Sequence, residues 1–143
     1  LLVLSERCSR EEIICKMPGK TQESVKAALD KLERKYGKRF KEKFKTITVD
    51  NGSEFLNFGQ IEQSVHDALT QRVKVYYAHP YSSWERGTNE NINKMIRRFV
   101  PKGSDIGIIT QTEIKRIERW INNYPRRIFG YQSANEIAKQ MSA

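Results

Sequence analysis

Phe44-Lys-Thr-Ile-Thr-Val-Asp-Asn-Gly52 is a β-branched, apolar run that stops at an Asn-Gly pair. Such a run reads as a strand, and the pair as its end. Beyond it, Phe58, Ile61, Val65 and Leu69 recur at helical spacing, and Val73-Lys-Val-Tyr-Tyr77 reads as another strand. A strand, helix, strand order implies a parallel pair joined by a right-handed crossover. Asn-Gly after a strand also suits a tight hairpin, but the residues after Gly52 repeat at helical rather than alternating period. In the parallel reading both strands end on one side of the sheet, the edge where open α/β sheets build their sites. Asp50 stands at that edge.

Working towards the amino terminus, Leu1 to Glu6 and Ile13 to Lys16 are short apolar runs flanking the polar Arg7-Cys-Ser-Arg10, a pattern for an antiparallel hairpin. Thr21 is placed to cap a helix whose apolar stripe is Val25, Ala28, Leu29, Leu32 and Tyr36, and Gly37 stands where a left-handed cap belongs. From Arg34 to Lys45 there are seven basic residues against one acid, Glu42. They suit either a solvated helix end or a DNA contact.

Towards the carboxyl terminus, Tyr81-Ser-Ser-Trp-Glu-Arg-Gly87 reads as a polar, aromatic loop. Thr88 is placed to cap a helix with Ile92, Met95, Ile96 and Phe99 as its buried stripe. Glu90, Asn93, Lys94 and Arg97 share its other face. Thr110-Gln-Thr-Glu113 and Ser133-Ala-Asn-Glu136 are capping-box patterns. The first opens a helix striped by Ile114, Ile117, Ile121 and Tyr124, which Pro125 ends; the second opens a short final helix.

The 143 residues carry a net charge of +9, with an isoelectric point near 9.7. A chain of this length suits one domain, and the charge favours a polyanion, because each neutralised phosphate releases counterions. No apolar run approaches the roughly 20 residues of a membrane-spanning helix, so a cytoplasmic location is expected. Cys8 and Cys15 form no paired motif and read as free thiols. With His66 and His79 they lack the close spacing of a structural zinc site. His66 reads as a helix residue and His79 as a loop or hinge position.

Asp50 and Glu90 are separated by 39 intervening residues, yet the crossover topology is expected to bring them to one sheet edge. A glutamate in a first helical turn is held ionised by the helix dipole, by roughly 0.3–1 kcal/mol. Two carboxylates about 4 Å apart repel by roughly 4 kcal/mol at an effective dielectric of 20, which a hard cation relieves. Taken alone, strand-end aspartates and first-turn glutamates also serve as simple caps.

Asp50-Asn-Gly-Ser-Glu-Phe55, followed by Pro80-Tyr-Ser-Ser-Trp-Glu-Arg-Gly-Thr-Asn-Glu-Asn-Ile-Asn-Lys94, resembles the DDE transposases of bacterial insertion sequences, whose core is similar to retroviral integrase. Ser5-Glu-Arg-Cys-Ser9, Asn122-Asn-Tyr-Pro-Arg-Arg127 and Gly130-Tyr-Gln-Ser133 extend the resemblance over nearly the whole chain. It implies an α/β, ribonuclease H-like mixed sheet flanked by helices, with residues 1–143 forming one integrase-type catalytic core. It implies DNA cleavage and strand transfer by two Mg²⁺ or Mn²⁺ ions, one activating water or a 3′-hydroxyl and the other stabilising the leaving oxygen. Asp50 and Glu90 match two catalytic, metal-binding acids. Lys94 matches a lysine that approaches the DNA end, and Arg97, Arg86 and Asn93 extend a DNA-facing surface. A solvated Glu90–Lys94 pair is the alternative for that lysine. Trp84 and Tyr81 suit stacking on an unpaired base or packing beneath the loop.

The family's third acid, an aspartate on a first strand, has no counterpart here. The expectation is a chain that lacks that strand, normally central between Leu1 to Glu6 and Phe44 to Asp50, and that is inactive by itself. Transposon ends and target DNA are the implied partners, with a homo-oligomer holding two ends in the bacterial cytoplasm or nucleoid and no membrane involved. A noncatalytic, basic DNA-binding or assembly fragment is the alternative, supported by nine basic residues against three acids from Asn93 to Gly130. A ribonuclease H-like nuclease shares the fold and metals but joins no ends.

Overall fold

The computed structural model describes residues 1–50, 52–67, 69–78 and 87–142; the side chains of residues 87–90 and 142 fall outside the described set. The chain divides into two compact units, Met17–Glu85 and a discontinuous unit of Leu1–Lys16 with Arg86–Ala143. The architecture is mixed α/β, with a two-stranded sheet in each unit.

In the discontinuous unit, β1 (Leu2–Ser5) and β2 (Glu12–Cys15) form the expected antiparallel hairpin, with Leu4 opposite Ile13 and Ser5 opposite Glu12. Glu6 organises the turn: its carboxylate accepts the N–H of Cys8 at 3.0 Å and of Ser9 at 2.5 Å. Burial pushes this carboxyl up, but the hydrogen bonds from Ser9, Cys8 and Arg7 prevail and hold it below its ordinary value. Arg10 takes a left-handed φ of 62° to bring the chain back.

Three helices complete the unit: α4 (Gly87–Ile96), α5 (Gln111–Asn123) and α6 (Ala134–Ser142), numbered after three helices of the other unit. Ile14 of β2 packs with Ile92, Ile96, Val100, Ile114, Ile117 and Ile121 in one cluster, each such side chain stabilising by roughly 1.5–3 kcal/mol. Both capping boxes form. Thr110 Oγ1 accepts the Glu113 N–H at 3.1 Å while Glu113 accepts the Thr110 N–H at 3.0 Å. Ser133 and Glu136 make the same exchange at 3.2 and 3.0 Å.

The outer edge of β2 is closed by side chains of α5. Asn122 accepts the Glu12 N–H at 2.7 Å and donates to the Glu12 carbonyl at 2.9 Å, while Glu118 accepts the Ile14 N–H at 2.9 Å. Asn122 thereby imitates a neighbouring peptide. Lys16 adds a tie from its Nζ to the Ile109 carbonyl at 2.7 Å.

Three details of this unit differ from expectation. The α4 helix already includes Gly87, so Thr88 lies inside its first turn instead of capping it. Its last residue is Ile96, and tight turns follow, with Phe99 N–H donating to the Ile96 carbonyl. Phe99 is therefore 45% exposed, resting edge-on against Trp120 at 4.9 Å. Tyr124 lies just beyond the end of α5 and leaves the buried isoleucine stripe; its ring is 40% exposed and rests 4.9 Å from that of Trp120.

In the other unit, α1 (Gln22–Tyr36) begins with Thr21 Oγ1 accepting the Ser24 N–H at 3.1 Å and buries Val25, Ala28, Leu29 and Leu32. Gly37 closes it with φ 57°, as expected of a cap glycine, but its ψ of −128° is not the left-handed helical value. A short helix, α2 (Phe40–Lys43), follows and stacks Phe40 on Phe44 at 4.7 Å. Then β3 (Thr46–Val49) and β4 (Lys74–Tyr77) pair in parallel, Ile47 beside Val75 and Val49 beside Tyr77. The parallel reading holds and the hairpin alternative does not.

The crossover helix is much shorter than its periodicity implies. It is α3 (Phe58–Glu62), five residues long; Val65 falls outside it, Leu69 is 96% exposed, and His66 sits in an exposed bend rather than a helix. The physical reason is competition from side chains. Buried Glu33 of α1 accepts the Ser64 hydroxyl at 2.8 Å and the Val65 N–H at 2.8 Å, and Asp67 accepts the Leu69 N–H at 2.9 Å. These bonds draw the backbone into turns.

Buried Arg72 completes the crossover. Its Nη1 donates to Asp30 of α1 at 2.5 Å and its Nε to the Ile61 carbonyl at 2.7 Å. Burial works to raise the Asp30 pKa, but bonds from Lys26 and Arg72 outweigh it and hold the carboxyl low.

Candidate functional site

Asp50 follows β3 directly, half-buried, where the Val49 carbonyl is tied to the Ala78 N–H at 2.8 Å beyond the end of β4. Its Oδ1 accepts the Gly52 N–H at 2.9 Å, which turns the chain sharply into a 3₁₀ turn at Ser53–Phe55. Tyr77, the last residue of β4, fixes this loop by donating its hydroxyl to the Phe55 carbonyl at 2.5 Å. Phe58 meets the same ring edge-on at 6.2 Å.

A second carboxylate lies beside Asp50. Glu54 is buried, with Oε1 3.8 Å from Lys20 Nζ and Oε2 without a hydrogen-bond partner among the described residues. A Cβ added to Gly52 would fall 2.7 Å from Glu54 Oε2 and 2.9 Å from Asp50 Oδ1. Among the described residues no group of three or more His, Cys, Asp or Glu gathers in metal-binding array; Asp50 and Glu54 are a pair. An orphaned buried oxygen next to a strand-end carboxylate is a donor set that fits a hard cation. The sequence motif contains Glu54 but assigns it no role, and neither Tyr77 nor Lys20 stands out in the sequence. The position of Glu54 four residues after Asp50 is the signal that could have found it.

Glu90 is the fourth residue of α4, in its first turn, and its side chain lies outside the described residues. Asp50 and Glu90 belong to different units. Past Glu90, Asn93, Lys94 and Arg97 are exposed, while Ile92 and Ile96 are buried. Arg86, Trp84, Tyr81 and His79 fall outside the described residues. All seven basic residues from Arg34 to Lys45 are exposed, and Lys35 and Lys43 stand over the Tyr36 ring at 5.5 and 5.4 Å. Neither Cys8 nor Cys15 takes part in a disulfide. Among the described residues no helix is long and apolar enough to cross a membrane.

No family model matches the chain. Curated relatives do. The chain is 38% identical over 141 residues to the transposase for insertion sequence element IS4351 of Bacteroides fragilis, covering 99% of this chain and 40% of that protein. It is 39% identical over 137 residues to the probable transposase for insertion-like sequence element IS1161 of Streptococcus salivarius, covering 96% and 36%. Against the transposase InsI for IS30A of Escherichia coli K12 it is 33% identical over 140 residues, covering 98% and 34%. Over nearly its whole length, this chain is similar to transposases of bacterial insertion sequences. It spans well under half the length of these transposases, and the similarity runs through both the Asp50 loop and the start of α4.

Proposed function

We propose that this transposase segment is the catalytic core of a DDE-type, ribonuclease H-like polynucleotidyl transferase that cuts and joins DNA. The observation that carries the reading is the position of Asp50 at the carboxyl end of β3 in a parallel β3–β4 pair, within a chain similar over nearly its whole length to insertion-sequence transposases. Asp50 and Glu90 serve as ligands for Mg²⁺ or Mn²⁺. Two such ions supply activation of the attacking hydroxyl and stabilisation of the leaving oxygen.

The remaining roles belong to the chain's own side chains. The Gly52 N–H orients the Asp50 carboxylate, and the first turn of α4 favours an ionised Glu90. Lys94, Arg97 and Asn93, exposed along α4 and just past its end, contact the phosphates of a DNA end, with Arg86 and Trp84 contributing from the preceding segment. Transposon ends and target DNA are the substrates, and an oligomer in the cytoplasm or nucleoid holds two ends together.

The test is Mg²⁺-dependent joining of labelled insertion-sequence ends by a transposase containing this chain. Asp50→Asn and Glu90→Gln should each lower joining by at least about 100-fold, the upper range for disturbing a metal's ligand shell. Joining at the parent rate by either variant would remove that residue from the mechanism. The basic, noncatalytic reading is favoured by the exposed cations from Arg34 to Lys45, and predicts DNA binding that Asp50→Asn and Glu90→Gln leave intact with no joining by the parent.

A further inference from the structure

Glu54 is buried to 8% exposure, yet only half of its carboxylate is answered. Lys20 stands 3.8 Å from Oε1 on a side chain that is itself 78% exposed, and Oε2 has no hydrogen-bond partner among the described residues. Leaving a carboxylate oxygen buried and unanswered is costly. What lies in front of it is the backbone of Gly52. The position a Cβ would take there is 2.7 Å from Glu54 Oε2 and 2.9 Å from Asp50 Oδ1, so the oxygens of the two carboxylates both lie against Gly52, and a methyl there would displace them. Asp50 Oδ1 also accepts the Gly52 N–H, which fixes its direction, and a carboxylate oxygen can accept more than one partner.

We propose that Glu54 is a further ligand for a divalent cation beside Asp50, and that residue 52 is glycine so that both carboxylates reach the same ion. Hard cations such as Mg²⁺ and Mn²⁺ take oxygen ligands of this kind, and a cation there answers the one oxygen that Lys20 does not. The proposal rests on the reading of Asp50 as a metal ligand. Glu54 then extends that site by one carboxylate from the same loop, held in place by the 3₁₀ turn and by Tyr77.

The experiment is calorimetric titration of the 143-residue chain with MnCl₂, with thermal melts in metal-free buffer, for the parent sequence, Glu54→Gln, Asp50→Asn and Gly52→Ala. Glu54→Gln and Asp50→Asn should each weaken Mn²⁺ binding by at least about tenfold. Gly52→Ala should do the same without changing charge, because its methyl displaces both oxygens. In metal-free buffer Glu54→Gln should melt no lower than the parent, since it removes a buried, half-answered charge.

Parent-like Mn²⁺ affinity in Glu54→Gln, with affinity lost in Asp50→Asn, overturns the role of Glu54 and leaves that of Asp50 standing. Loss in Glu54→Gln alone overturns the shared site and the reading of Asp50 with it. A lowered melting temperature with unchanged affinity marks Glu54 as a structural partner of Lys20 and likewise overturns the proposal. Absence of Mn²⁺ binding by the parent at millimolar concentration overturns it too, and the reading of Asp50 is then judged by the joining assay.

Discussion

Among the described residues, the Glu12 carboxyl is pushed furthest from its ordinary value. It is fully buried in β2, with Ser5 donating to Oε2 at 2.6 Å and Oε1 lacking a partner among the described residues. Burial pushes its carboxyl up to about 8, against the opposing pull of the Ser5 hydrogen bond and the charges of Arg126 and Arg10. The folded state therefore holds the proton more tightly than the unfolded chain does. Its contribution to stability is complete below the ordinary glutamate range and is lost as pH rises towards 8, at up to about 1.4 kcal/mol per pH unit. Urea denaturation at pH 5 and pH 8 should show the parent losing stability across that interval and Glu12→Gln losing much less. Parallel curves for the two proteins would sink the assignment. The sequence carries no sign of this, because a glutamate beside Ile13-Ile-Cys15 looks like the polar end of a turn. Its backbone is held by Asn122, far away in the chain.

Among the elements, the legible ones are those whose signals are local. Thr21 and Gly37 bracket α1, and the two capping boxes open α5 and α6, because each cap uses residues within a turn of the helix it serves. The crossover helix departs from its sequence pattern for the opposite reason. Its apolar period from Phe58 to Leu69 is real, but Glu33 and Asp67 offer the backbone other partners, and Glu33 comes from another helix. The Asp50 loop divides in the same way: the strand end and the turn are legible, whereas the Glu54 ion pair and the Tyr77 tie depend on Lys20, ahead of α1, and on β4.

The edge of β2 supplies an element-scale prediction. Asn122→Ala removes both bonds to Glu12 and leaves a buried N–H and carbonyl unanswered, at about 1–3 kcal/mol for each such group. Asn123, exposed one position later, accepts from Asn135 at 2.9 Å, and Asn123→Ala should cost less than about 1 kcal/mol. Equal urea midpoints for the two variants would show that the amide does not close the strand.

At the scale of the whole molecule, charge is the dominant property. A net +9 with exposed cations at the end of α1 and along α4 predicts salt-sensitive DNA binding. If about six phosphates are neutralised, log affinity should fall with log salt at a slope of about −5.4. Fluorescence anisotropy with a labelled duplex measures this, and a flat dependence would exclude phosphate neutralisation as the source of binding. Replacing Lys94 and Arg97 with alanine should make the slope shallower by about one for each phosphate left without its cation.

The closing of β2 by α5 also sets an order of events during synthesis. Glu12 and Asn122 are 110 residues apart, and Ile14 and Glu118 are 104 apart, whereas Met17–Glu85 is continuous. Everything that unit contains has been synthesised before the first residue of α5 is added. The inner unit can gather its own packing early, while the hairpin waits with two N–H groups unanswered until α5 arrives. A nascent chain stalled before Glu118 therefore carries an open strand edge, and one stalled well after Asn122 carries a closed one.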